Sequence, residues 1–100
     1  MIYHKLVRDL IPEHIAKRGG IAVTHIANET EYRQKLFEKL VEEAQEFLQD
    51  QNAEELADVL EVVDAIIAFH GFDGLEIDRV RQEKAKEKGK FEKRIILDEA

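Results

Sequence analysis

Residues Glu54–Phe69 read EELADVLEVVDAIIAF. From Leu56 to Phe69, eleven of fourteen residues are apolar, and the other three are Asp58, Glu61 and Asp64. No glycine or proline interrupts the run, so it reads as a helix spanning about Ala53 to His70. A helix that is apolar nearly all round is expected to be buried. A buried ionised carboxylate is costly unless something pairs with it, so the three acids need a reason.

The preceding helix poses the same question in the stretch Val41–Phe47, VEEAQEF. At about 100° per residue, Leu36, Phe37, Leu40, Val41, Ala44, Phe47 and Leu48 form one apolar arc, with Tyr32 at its edge. Glu43 falls inside that arc and Glu46 at its border. Glu42 falls on the polar side with Lys35 and reads as an ordinary surface residue. In the following helix Asp58 lines up with Val62, Ala65 and Phe69, and Glu55 lies one turn before it. Two acid pairs at three-residue spacing, Glu43/Glu46 and Glu55/Asp58, therefore lean inward from consecutive helices. The break between the helices, Gln51-Asn52, is short, which predicts antiparallel packing and brings the pairs together.

Four carboxylates in one place repel. At ~4 Å and an effective dielectric of about 20, each like-charge pair costs on the order of 4 kcal/mol. Cations must offset this. Lys39, Lys35 and Arg33 are within helical reach and could supply salt bridges, but they are the only bases between Asn28 and Asp64, a segment of net charge −9. An all-oxygen ligand set points to a hard cation, Mg²⁺ or Mn²⁺. The segment Arg79–Arg94 has the opposite balance, +5, which suits phosphate contacts or a solvated helix face.

The flanking segments complete an all-α reading of four to five helices in a bundle-like subunit, one domain over residues 1–100. Asp9 is expected to cap a first helix with Pro12 in its first turn, and Gly19-Gly20 to end it. Ile21–Ala27 is β-rich and reads as a short strand or an extended connection. Thr30 is expected to cap the second helix, which runs to about Asp50. After the turn His70–Gly74, a fourth helix should run from about Leu75 to Lys88. The tail Phe91–Ala100 reads as a strand or an extended arm.

Bulk composition excludes several classes. The 100 residues include no cysteine, so disulfides and thiolate metal sites are absent. His4, His14, His25 and His70 show no ligand spacing. The net charge of −7 argues against a nucleic-acid polymer as partner. The longest apolar run, Ala65–Phe69, is far too short to cross a bilayer, so no membrane partner and a cytoplasmic location are expected. The third helix has too many apolar sides for one small subunit, and self-assembly is expected.

The order of these motifs resembles a known family. EEAQE followed by ELAD is similar to the EExxE…ExxD signature of the MazG-like all-α nucleoside triphosphate pyrophosphohydrolases, a superfamily that includes phosphoribosyl-ATP pyrophosphohydrolases and dimeric dUTPases. The opening YHKLVRDLIPEHI resembles the opening of a MazG-like subgroup, and KEKGKFEKRIIL resembles its C-terminal GGF region, although the second glycine is Lys90 here. The resemblance covers most of the chain. It implies metal-ligand roles for Glu43, Glu46, Glu55 and Asp58, and Mg²⁺-dependent hydrolysis between the α- and β-phosphates. Glu43 and Glu46 become the catalytic carboxylates, with Glu46 the choice for proton acceptor. Arg8, Arg81, Lys84 and Lys88 become candidate phosphate contacts, and a homodimer or homotetramer is implied. Tyr3, Tyr32, Phe37 and Phe69 could stack on a base or pack in the core. The alternatives are a phosphoribosyl-ATP pyrophosphohydrolase and a non-catalytic metal-binding oligomer that serves as a binding or regulatory module.

Overall fold

The computed structural model describes residues 3–100, and the chain is all-α: α1 (Ile11–Lys17), α2 (Glu29–Gln49), α3 (Ala53–His70) and α4 (Gly74–Lys88). The described residues contain no strand. Ile21–Ala27 has no neighbouring strand to take its backbone hydrogen bonds, so its β-propensity finds no ladder. The tail opens on a turn rather than a strand, with the Arg94 amide donating to the Phe91 carbonyl at 3.3 Å, and then runs on without regular structure. No helix of the described residues is long and apolar enough to cross a membrane.

Helix starts follow local chemistry, with two departures from expectation. The N-cap of α2 is Asn28, not Thr30: its side chain accepts a hydrogen bond from the Glu31 amide at 2.9 Å. The amide oxygen of asparagine meets this geometry two residues earlier, and Thr30 is taken into the first turn. Asp9 does not cap α1. Leu10 holds that position without a side-chain bond, and Pro12 occupies the first turn as expected. Asn52 caps α3 by accepting from the Glu55 amide at 2.9 Å. Gly71, at φ 68°, closes α3 in the left-handed region where a side chain would be strained. Asn52→Ala should cost about 1 kcal/mol of stability, readable as a lower urea midpoint at unchanged slope.

The core is an antiparallel hairpin of α2 and α3. The start of α2 meets the end of α3, where Tyr32 and Phe69 pack edge to face at 5.4 Å. Leu36 and Val62 are the buried apolar side chains of this layer. As expected of a helix with too many apolar sides for one small subunit, α3 is not enclosed within it: Val62 is its one buried residue, and Leu56 and Leu60 face solvent. One neighbouring helix covers one stripe, and α4, which buries no residue, leaves the rest open. The opening segment and α1 lie against the hairpin, with Leu6, Pro12 and Ile15 half-buried.

Candidate metal centre

The centre of the site is Glu43. Its place inside the apolar arc of α2 makes it the buried charged residue of the core, with 6% of its surface exposed. One oxygen receives Lys39 Nζ at 3.2 Å, across one helical turn. The other, Oε2, is buried with no hydrogen-bond partner. Glu55 Oε2, on the facing helix, is in the same condition. Buried carboxylate oxygens without donors cost free energy, and native structures rarely leave them so.

Around Glu43 the hairpin assembles two groups of acids. Glu42, Glu43 and Glu46 can bring carboxylate oxygens within 4.8 Å of one another, and so can Glu43, Glu55 and Asp58. Glu43 belongs to both. All four expected ligands are thus gathered at one end of the hairpin. Glu42 joins them although the wheel sets it on the polar side, because the opening segment folds over that side. Lys5 Nζ donates to Glu42 Oε1 at 3.0 Å, and Lys39 Nζ approaches Glu42 Oε2 at 3.3 Å. Lys5 escaped the sequence reading; its one signal there is that it shares the opening segment with Arg8.

The electrostatics follow from this crowding. The Glu43 charge, with burial and the nearby Glu55 and Glu42, raises the Glu46 carboxyl above its ordinary value. Burial raises Glu55 as well, helped by Asp58 and Glu43. Glu42 moves the other way: burial opposes its ionisation, but hydrogen bonds and charge from Lys5 and Lys39 outweigh it and hold the carboxyl low. The hydrogen bond to Glu42 in turn raises Lys5. The cluster therefore contains one carboxylate held ionised by lysines and two that resist ionisation for want of cations.

The expected phosphate contacts divide. Arg8 is brought to the cluster, with NH2 at 2.7 Å from Asp58 Oδ1 and NH1 at 4.0 Å from Glu61. Arg81, Lys84 and Lys88 share a face of α4, but α4 does not pack on the hairpin. Arg81 lies 3.6 Å from Asp78 on its own helix, and Lys84 and Lys88 form no ion pair among the described residues. The aromatic candidates pack with other side chains: Tyr32 on Phe69, Phe37 on His70, and Tyr3 beneath Lys5.

A cavity of about 720 Å³ opens between the opening segment, α1 and the hairpin. Leu6, Leu36, Val62 and Ala65 give it an apolar wall, and Glu43, Asp58 and Arg8 line it too. An oxygen-rich cluster beside a cavity of this size can hold a hard divalent cation and present it to a small ligand. Comparison with protein-family models, with curated proteins and with solved structures returns no match.

Proposed function

We propose that the protein is a Mg²⁺-dependent nucleotide pyrophosphohydrolase of the MazG-like all-α type, acting as a homodimer or homotetramer. The observation that carries this reading is the buried, unpartnered oxygen of Glu43 at the junction of two acid groups. A donor set made wholly of carboxylates fits Mg²⁺, or Mn²⁺ in its place. Glu43, Glu46, Glu55 and Asp58 hold the metal, with Glu42 beside them. When bound, the cation neutralises phosphate oxygens and lowers the pKa of a water for attack at the α–β linkage.

The chain's own groups supply the rest. Glu46 is solvent-facing and has a raised proton affinity, so its carboxylate accepts the proton from the attacking water. Arg8, half exposed at the cluster's edge, exchanges Asp58 for phosphate oxygens. The cavity receives the nucleoside, which its apolar wall separates from water. Arg81, Lys84 and Lys88 contact the phosphates if α4 is carried to a site by assembly.

The test is incubation of the purified protein with Mg²⁺ and a panel of nucleoside triphosphates, with products separated. Paired monophosphate and pyrophosphate, both missing with Glu43→Gln, support the reading. Orthophosphate as the product rejects it. No product from any nucleotide, alongside clear Mg²⁺ stabilisation, transfers the assignment to phosphoribosyl-ATP or to a binding module. Arg8→Gln should raise KM about tenfold, as loss of one charge-assisted phosphate contact does. It should not weaken Mg²⁺ binding, because Asp58 loses a competing cation; calorimetric titration checks this.

A further inference from the structure

The cations that touch the acid cluster are not alike. Lys5 and Arg8 come from the opening segment, and their side chains are 44% and 56% exposed. Lys39 belongs to α2 itself, and its side chain is 16% exposed. It stands one helical turn before Glu43, so its ammonium reaches that carboxylate along the helix. Nζ lies 3.2 Å from Glu43 Oε1 and 3.3 Å from Glu42 Oε2. Lys39 also lines the cavity, beside Glu43 and Asp58. It is the lysine that borders both the acids and the space for a ligand.

This placement sets Lys39 against the proposed cation. Glu43 Oε1 faces the ammonium, while Oε2 of the same carboxylate is buried without a partner. A dication taken up by Oε2 stands beside the ammonium on one carboxylate, partly buried, where like charges repel with little screening. Glu42 is no full refuge for Lys39, because its Oε1 already accepts from Lys5. The open direction is the cavity, where an anionic ligand would meet the ammonium. A lysine suits such a move. Its charge is compact, and its flexible four-carbon stem can swing without the backbone. A rigid arginine fork would be better suited to staying on both glutamates.

We infer that Lys39 couples the cation to the phosphates. In metal-free protein it occupies Glu43. When cation and nucleotide enter, it leaves Glu43 for a phosphate oxygen. This rests on the proposed function and deepens it, because the species the site selects becomes the complex of the cation with the phosphates. The cation alone must displace Lys39 without offering it a new partner, so it is held weakly. Phosphate draws Lys39 away and frees the carboxylate, so each ligand strengthens the binding of the other, by the same factor in both directions.

A lysine that only holds the fold together predicts something different. Its removal weakens the site for every ligand. A coupling lysine predicts shifts of opposite sign. Mg²⁺ titrated alone into Lys39→Met should bind roughly tenfold more tightly than into wild type, since one competing charge is gone. Inorganic pyrophosphate titrated at saturating free Mg²⁺ should bind roughly tenfold more weakly, since one charge-assisted contact is gone. Lys39→Arg keeps the charge and should return Mg²⁺ affinity toward wild type. Both affinities falling together, neither changing, or no Mg²⁺ binding in either form overturns the inference.

Lys39→Gln keeps a donor for Glu42 and replaces the methionine variant if that one unfolds. If both unfold, wild-type protein decides through brief acetylation read by peptide mass. Mg²⁺ alone should increase labelling of Lys39, and Mg²⁺ with pyrophosphate should decrease it. Labelling indifferent to both overturns the inference. None of these readouts uses hydrolysis. Opposite shifts in a protein that cleaves no nucleotide uphold the coupling and reject the proposed activity. An active enzyme whose two affinities fall together rejects the coupling alone.

Discussion

Glu43→Gln should abolish pyrophosphate release, by at least about a thousandfold, or on the order of 4 kcal/mol of transition-state stabilisation. The substitution keeps the shape of the side chain and removes its charge. Both acid groups lose their common member at once, since Glu43 is shared between them. Calorimetric titration should show Mg²⁺ binding lost in parallel. The metal-free variant should nevertheless be folded and at least as stable as wild type. Its glutamine relieves repulsion on Glu46 and Glu55, and Lys39 keeps Glu42 as a partner. The Glu43 charge is the first cause of the raised Glu46 carboxyl, so NMR titration should find Glu46 moved back toward its ordinary value of 4.5. A Glu43→Gln protein that hydrolyses nucleotides at the wild-type rate would remove Glu43, and the site built on it, from the mechanism.

The second large effect is on stability. Mg²⁺ at a hundred times its dissociation constant should stabilise the fold by about 2.7 kcal/mol. For a domain of this size that is roughly 10–20 °C in the melting midpoint. The pH dependence has a definite sign. Glu46 and Glu55 have folded-state values above the ordinary 4.5. In metal-free protein their contribution is present in full below 4.5 and is lost as the pH rises through the raised values. Metal binding needs both groups ionised, so the Mg²⁺ increment behaves oppositely: largest at neutral pH, shrinking as the pH falls toward 4.5. Glu42 does not blur this window, because its lowered value keeps its lysine pairs intact until the pH falls below 4.5. Melting curves with Mg²⁺ or EDTA at several pH values and fixed protein concentration provide the measurement. An increment independent of pH, or none, would show that the acids are neutralised by Lys39, Lys5 and Arg8 alone.

The oppositely shifted acids also show how lysines and the proposed metal would divide the cluster between them. Lys5 and Lys39 serve Glu42 on the outer side. The inner oxygens of Glu43 and Glu55 have no donor. Arg8 holds Asp58 with one nitrogen from a half-exposed position. Such a pair contributes at most about 1 kcal/mol and yields readily to a divalent cation. The site is charged most strongly where the fold supplies least compensation.

What the sequence determined by itself is what depends on short range. The extents of α3 and α4 were legible because Asn52, Gly71 and Gly89 act on their own helix ends. The inward direction of Glu43 was legible because a helix repeats every 3.6 residues, and the meeting of the two acid pairs because so short a link permits one packing. Where two polar residues two positions apart competed, as Asn28 and Thr30 did for one cap, helical period could not choose between them. Tertiary structure alone decided the partners that arrive from far along the chain. It brought Lys5 to Glu42 and Arg8 to Asp58, which turned an apparent surface glutamate into a member of the site. It also left α4 and its lysines away from the acids, and half of α3 uncovered. These outcomes depend on which surfaces meet, and a helical period reports only which side of a helix is apolar, not what will cover it.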